Sequence, residues 1–204
     1  MPKKLITLII SLFFVTAFFD YAYAKQQKAI EPIMPSMENF QDPVITLELI
    51  DIPEFDGYWY YGANIEPTKG QAGDHGAPLP VAVTFNITNP NPYPVLLEEY
   101  KFTIAFEEFD MTTFTGYETQ WIPAGKTNQL RSTKLMTVRG GLLNLLVTAG
   151  FKLQAKGTNA WAALEKWWTE ISDMSFPITI HEGSFTFKAD SVKKILPFKG
   201  TYPK

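Results

Sequence analysis

The 204-residue sequence contains no cysteine and only two histidines. The first absence excludes disulfides, thiolate metal sites, a thiol nucleophile and a lipid-anchored N-terminal cysteine. The second leaves little for metal or acid–base chemistry. Charge is scarce too, at 19% of residues with a formal net charge of −3. That balance offers no electrostatic footprint for nucleic acid, and none is expected as a partner. Against these shortages stand 46% hydrophobic and 15% aromatic residues, a composition that folds around a core rather than staying disordered.

Only one apolar run is long, and it lies at the N-terminus. Lys3 and Lys4 precede an apolar or hydroxylated stretch over 5–19, and Ala22-Tyr23-Ala24 then forms a small-x-small cleavage pattern before Lys25. As a helix that stretch would rise only about 22 Å, short of the ~30 Å hydrocarbon core. The expectation is a signal peptide over 1–24, cut after Ala24, and an exported protein, periplasmic or secreted. The alternative is that the run is kept as an anchor.

Residues 25–42, with Pro32 and Pro35, read as an extended leader to a domain over 43–204. In 44–50, Ile45, Leu47 and Leu49 form one apolar face of a half-buried strand. Aromatics at 58–61 suggest another strand, and 64–80 a polar loop. The clearest alternation follows: Val81, Val83, Phe85 and Ile87 point one way. It stops at Asn-Pro-Asn-Pro-Tyr-Pro over 89–94, where each proline removes a backbone donor and the asparagines can close Asx turns. Tyr100, Phe102, Ile104 and Phe106 resume the pattern, and 111–121 and 126–138 are further strand candidates.

The texture changes over 139–173. Gly140 and Gly141 precede a short leucine-rich helix that closes near Gly150, and Asn159 is a fitting N-cap for a second helix through Asp173. Strands return after Pro177, with apolar parity switching near 182–184, which requires a bulge or turn there, and a last extended segment covers 195–203. The expected fold is mainly β, an antiparallel β-sandwich with a two-helix insert.

The run 81–95, Val-Ala-Val-Thr-Phe-Asn-Ile-Thr-Asn-Pro-Asn-Pro-Tyr-Pro-Val, resembles the signature of the late embryogenesis abundant type 2 family, also called the water stress and hypersensitive response domain. Trp-Ile-Pro-Ala-Gly-Lys at 121–126 is similar to that family's turn before its next strand. Glu-Gly-Ser-Phe at 182–185, with Leu-Pro-Phe at 196–198 and Gly200, resembles its closing strands. The likeness spans about 44–202, with Asn89, Pro90, Asn91 and Pro92 as its specific part. It implies a seven-strand sandwich of the fibronectin type III or immunoglobulin-like kind and a role in tolerance of drying. It brings no catalytic residues and no cofactor, and the helical insert is extra to the family's domain.

Candidate chemistry is thin. His75 sits beside Asp74 in a glycine-flanked loop, a weak metal pattern, and His181 reads as an outward strand residue. No Gly-x-Ser-x-Gly elbow occurs, and Gly125-Lys126-Thr127 lacks the earlier glycine of a phosphate loop. Glu98-Glu99 and Glu107-Glu108-Asp110 could form a calcium site, or act as solvated edge charges that discourage aggregation. Trp161, Leu164, Trp167 and Trp168, with Leu142, Leu145 and Leu146, could line an apolar groove for a lipid or protein segment, touch a membrane surface, or simply pack as core. The expected function is non-enzymatic shielding of partially unfolded client proteins or envelope components during water stress. The alternative is a periplasmic lipid- or protein-binding module of an envelope or transport assembly.

Overall fold

The computed structural model describes residues 33–54 and 78–203. The segment expected as a signal, with Ala22 and Ala24, the aromatic strand expected at 58–61 and the loop expected around His75 lie outside the described residues. Pro35–Lys204 makes one compact unit.

Within it run β1 (Val44–Asp51), β2 (Leu79–Thr88), β3 (Val95–Phe106), β4 (Phe109–Gly116), β5 (Gln120–Ile122), β6 (Thr127–Met136), β7 (Ile178–Ala189) and β8 (Val192–Tyr202). Between β6 and β7 lie α1 (Val138–Thr148), α2 (Gly150–Ala155), α3 (Ala160–Glu170) and a 3₁₀ turn (Ile171–Asp173). One sheet has the order β1-β2-β6, the other β4-β3-β7-β8, with β5 pairing the start of β3. All the pairings are antiparallel. The protein is a mainly β antiparallel sandwich. Set β5 aside, and the strand order is that of a fibronectin type III-like fold.

Why the sheets stack follows from the alternation read above. Val81, Val83, Phe85 and Ile87 are all fully buried on β2. The Phe85 ring meets Phe102 of β3, Phe185 of β7 and Phe198 of β8 edge-on, each at 5.2 Å between centroids, so one side chain ties one sheet to three strands of the other. Such edge-on pairs add about 0.5–1.5 kcal/mol each beyond the area they bury.

Two strands change face midway. On β1 a register shift between Leu47 and Leu49 turns the strand, so Leu47 and Ile50 are buried while Leu49 is exposed. The expected odd-numbered face therefore holds only to Leu47; the extra residue of a bulge moves every later side chain to the other side. On β7 the parity switch near 182–184 is such a bulge. Its register against β8 shifts between Ile180 and Gly183, and Glu182 takes a left-handed φ of 51°.

Gly183 sits where a side chain cannot. A Cβ there would come 2.4 Å from the Phe198 carbonyl oxygen and 2.8 Å from its Cβ. Neither can yield without disturbing the β7–β8 ladder. Gly183→Ala should cost about 2–3 kcal/mol in urea unfolding, as overpacking does. Gly150→Ala, with open space at its Cβ, is the matched control and should be neutral.

The insert has three helical segments where two were expected. Thr137 caps α1, its hydroxyl accepting from the Gly140 amide at 3.1 Å, so the glycine pair lies inside the helix rather than before it. Gly141 faces Leu164 and Trp168 of α3 and lets the two helices approach. At Ala149 the backbone leaves helical geometry, as expected near Gly150. The chain then makes the extra short helix α2, which buries Leu153. Asn159 caps α3 as its sequence implied, accepting from the Trp161 and Ala162 amides at 3.1 and 3.0 Å.

Candidate functional site

The Asn-Pro-Asn-Pro segment is a buried polar knot. Asn89 and Asn91 are fully buried. The Asn89 amide nitrogen donates to the carbonyls of Tyr93, Ile122 and Pro123 at 2.8, 3.0 and 3.2 Å. Its oxygen accepts from the backbone and the side chain of Asn91, both at 2.9 Å. The first of these contacts is the Asx turn foreseen at Asn89. Asn91 instead bonds Gln41, fifty positions away, accepting from its N–H at 2.8 Å and donating to its C=O at 2.7 Å. The prolines fit because they occupy exposed places where no donor is needed, Pro90 between the two buried asparagines and Pro92 just after them. The signature residues thus join the leader, the start of β3 and the turn after β5.

Residues 36–42 of that leader fold onto the sandwich just before β1. The Phe40 amide donates to the Ser36 carbonyl at 3.0 Å, and Phe40 itself is in the core. Lys194 of β8 pairs with Asp42 at 2.7 Å.

The acidic clusters are taken apart by the fold. Glu107 and Glu108 form the tight turn between β3 and β4, where Phe106 faces Phe109 across the ladder. Glu107 pairs with Lys166 of α3 at 2.6 Å, and Glu108 pairs with Lys156 at the end of α2. Asp110 pairs with His181 at 2.8 Å, and its carbonyl accepts from the Asn144 side chain of α1. Glu98 bonds Lys193 at 2.8 Å, and Glu99 accepts from Thr186 at 3.1 Å. The Glu107 hydrogen bond raises the Lys166 pKa above the ordinary lysine value, and the Lys193 hydrogen bond holds Glu98 below the ordinary glutamate value. Among the described residues no three histidine or carboxylate groups converge to hold a metal ion. The β3–β4 turn is a clamp for the insert.

Aromatic packing completes that clamp. Trp167 lies 5.9 Å from Phe106 and 5.6 Å from Phe109, and Trp168 lies 6.4 Å from Phe106. Leu164, Trp167 and Trp168 are buried, and Trp161 is partly buried against the same core. Leu142 and Leu145 are buried with them. Of the residues considered for an apolar groove, Leu146 alone is exposed.

The open apolar face lies on the other side of the insert. Leu143, Leu146, Val147 and Phe151 are 66%, 57%, 78% and 91% exposed. Sequence reading singled out the tryptophans because they are large and helically spaced. The signal it passed over is the density of leucines in 142–147, more than one buried stripe can use. No helix among the described residues is long and apolar enough to cross a membrane.

The class defined by these elements is an antiparallel β-sandwich carrying a clamped helical insert. No family model matches the chain, and no curated protein does. Among solved structures it is similar to a protein of Arabidopsis thaliana determined in solution, at 10% identity and a TM-score of 0.46, covering 86% of this chain and 87% of that one. A protein from Archaeoglobus fulgidus is similar at 11% identity and a TM-score of 0.40, covering 76% and 94%. A third, described as a late embryogenesis abundant (LEA) protein, is similar at 10% identity and a TM-score of 0.29, covering 97% and 88%. Likenesses this distant add nothing to what the chain's own residues say.

Proposed function

We propose that this is an exported, non-catalytic protective protein of the late embryogenesis abundant type 2 kind, acting in tolerance of desiccation and water stress by shielding other proteins or the envelope. The observation that carries the proposal is the Asn-Pro-Asn-Pro run. It is the segment with the specific family likeness, and its buried asparagines are bonded to the fold rather than turned towards solvent. A signature used for structure leaves the work to the surface. On that surface Glu98, Glu107 and Glu108 are engaged in ion pairs and Asp110 in a hydrogen bond with His181. The mechanism is physical: folded molecules with polar outer faces cover partly unfolded clients reversibly and hold them apart as water is lost.

The test is a drying cycle with a labile enzyme, comparing its recovered activity with that beside an equal mass of an inert globular protein. Greater recovery over a range of molar ratios is expected. Equal or lower recovery at every ratio overturns the proposal.

A second reading has its own observation, the exposed face of Leu143, Leu146, Val147 and Phe151. A helix that is apolar on its buried and its open sides is short of a partner. On this reading the insert makes the protein a lipid- or protein-binding module of an envelope assembly.

A further inference from the structure

We infer that the open face of α1 and α2 docks on an anionic lipid bilayer. This rests on the second reading above and names its partner. The face comprises Leu143, Leu146 and Val147, three and four positions apart on α1, and Phe151 at the start of α2 just past the break at Ala149. The opposite side of the same helices, through Leu142, Leu145 and Leu153, is buried in the sandwich. The insert is also anchored at the β3–β4 turn by Lys166 on Glu107 and Lys156 on Glu108. The strip is therefore presented by a braced platform.

Charge selects the occupant. Residues 138–164, which carry the strip, contain no aspartate or glutamate and three basic residues, Arg139, Lys152 and Lys156, of which Lys156 is paired with Glu108. Arg139 lies at one end of the strip and Lys152 next to Phe151 at the other. Leucine and phenylalanine flanked by basic residues form the pattern of a helix lying in a membrane interface, with apolar side chains among the acyl chains and cations among the phosphates. A second copy of this chain fits less well. A two-fold contact through the strip would bring its basic flanks against themselves. Four side chains also offer an apolar area on the order of 400 Å², about half of the ~800 Å² per partner that a stable interface buries. A bilayer needs only that the four side chains enter it.

The experiment uses protein purified from the compartment to which it is exported, with the same N-terminus in wild type and variant. Sedimentation with phosphatidylcholine vesicles containing phosphatidylglycerol is compared with sedimentation on phosphatidylcholine alone. The variant Leu143→Gln with Leu146→Gln and Phe151→Gln alters only exposed side chains, and an unchanged urea midpoint verifies its fold. Wild type should partition onto the anionic vesicles, and the triple variant about tenfold less. Lys152→Gln should weaken binding and reduce its salt dependence. Equal partitioning of wild type and triple variant overturns the inference, as does a wild type that ignores anionic vesicles. If wild type ignores vesicles but self-associates, and the triple variant is monomeric, the bilayer is excluded while the module reading survives. If wild type neither binds vesicles nor self-associates, and no envelope protein binds it in a strip-dependent way, both fall.

Discussion

Replacing Asn89 with alanine is expected to lower the unfolding free energy by about 3–5 kcal/mol, a large part of the ~5–15 kcal/mol that holds a domain of this size. The magnitude follows from what the side chain satisfies. Its nitrogen serves three carbonyls and its oxygen accepts two bonds from Asn91. Each buried polar group left without a partner costs about 1–3 kcal/mol, less whatever an entering water recovers. Asn89→Asp should be comparably damaging, because a carboxylate cannot donate to the Tyr93, Ile122 and Pro123 oxygens. Urea titration followed by circular dichroism reads the effect. Asn86→Ala is the control, since that amide makes its contact to Glu48 at an exposed site and should cost under about 1 kcal/mol. If the two alanine variants lose equal stability, the knot does not hold the fold together as argued.

Trp168→Ala is expected to cost about 3–5 kcal/mol and to loosen the insert before the sandwich. Trp168 is fully buried between Gly141 of α1 and Phe106 of β3. Truncation removes one of the two side chains, with Leu164, through which α3 meets α1 at Gly141, so protease cleavage within 139–173 should precede loss of the strand signal. Phe151→Ala removes an exposed ring of similar character and should change stability by well under ~1 kcal/mol. A Trp168 variant as stable as the Phe151 variant would show that the insert does not depend on this ring. The contrast also governs how ligand binding is to be tested. Substituting Trp161 and Trp168 together reports on folding, whereas the open strip can be changed with the fold intact.

Much of the architecture was written in local pattern. The alternation through Phe85 and Ile87, the N-cap at Asn159 and the parity switch before Phe185 each depend on neighbours within a few positions, and each is present. What escaped depends on partners far along the chain. The bulge after Leu47 is set by pairing with β2, so nothing near Leu49 announces that it faces outward. Asn89 closes a turn two residues on, which its sequence indicates; Asn91 finds Gln41, which no spacing indicates. Glu98 and Glu99 look like a cluster in one dimension, but strand geometry sends them to different partners, Lys193 and Thr186. Helical spacing grouped Trp161, Leu164 and Trp168 correctly, and of the readings it allowed, packing as core is the one the fold bears out.

The bond pair between Asn91 and Gln41 has a consequence for motion. A proline-bearing stretch ahead of the first strand would ordinarily fray, and its amide protons would exchange with solvent almost freely. The Gln41 amide is held by a side chain whose own position requires β2, β3 and the turn after β5. It cannot open by itself without stranding a buried amide. Its proton should exchange on the slow timescale of whole-domain opening, in step with the amides of β2 rather than with those of a tail. By that kinetic measure, a residue outside every strand and helix belongs to the most protected part of the protein.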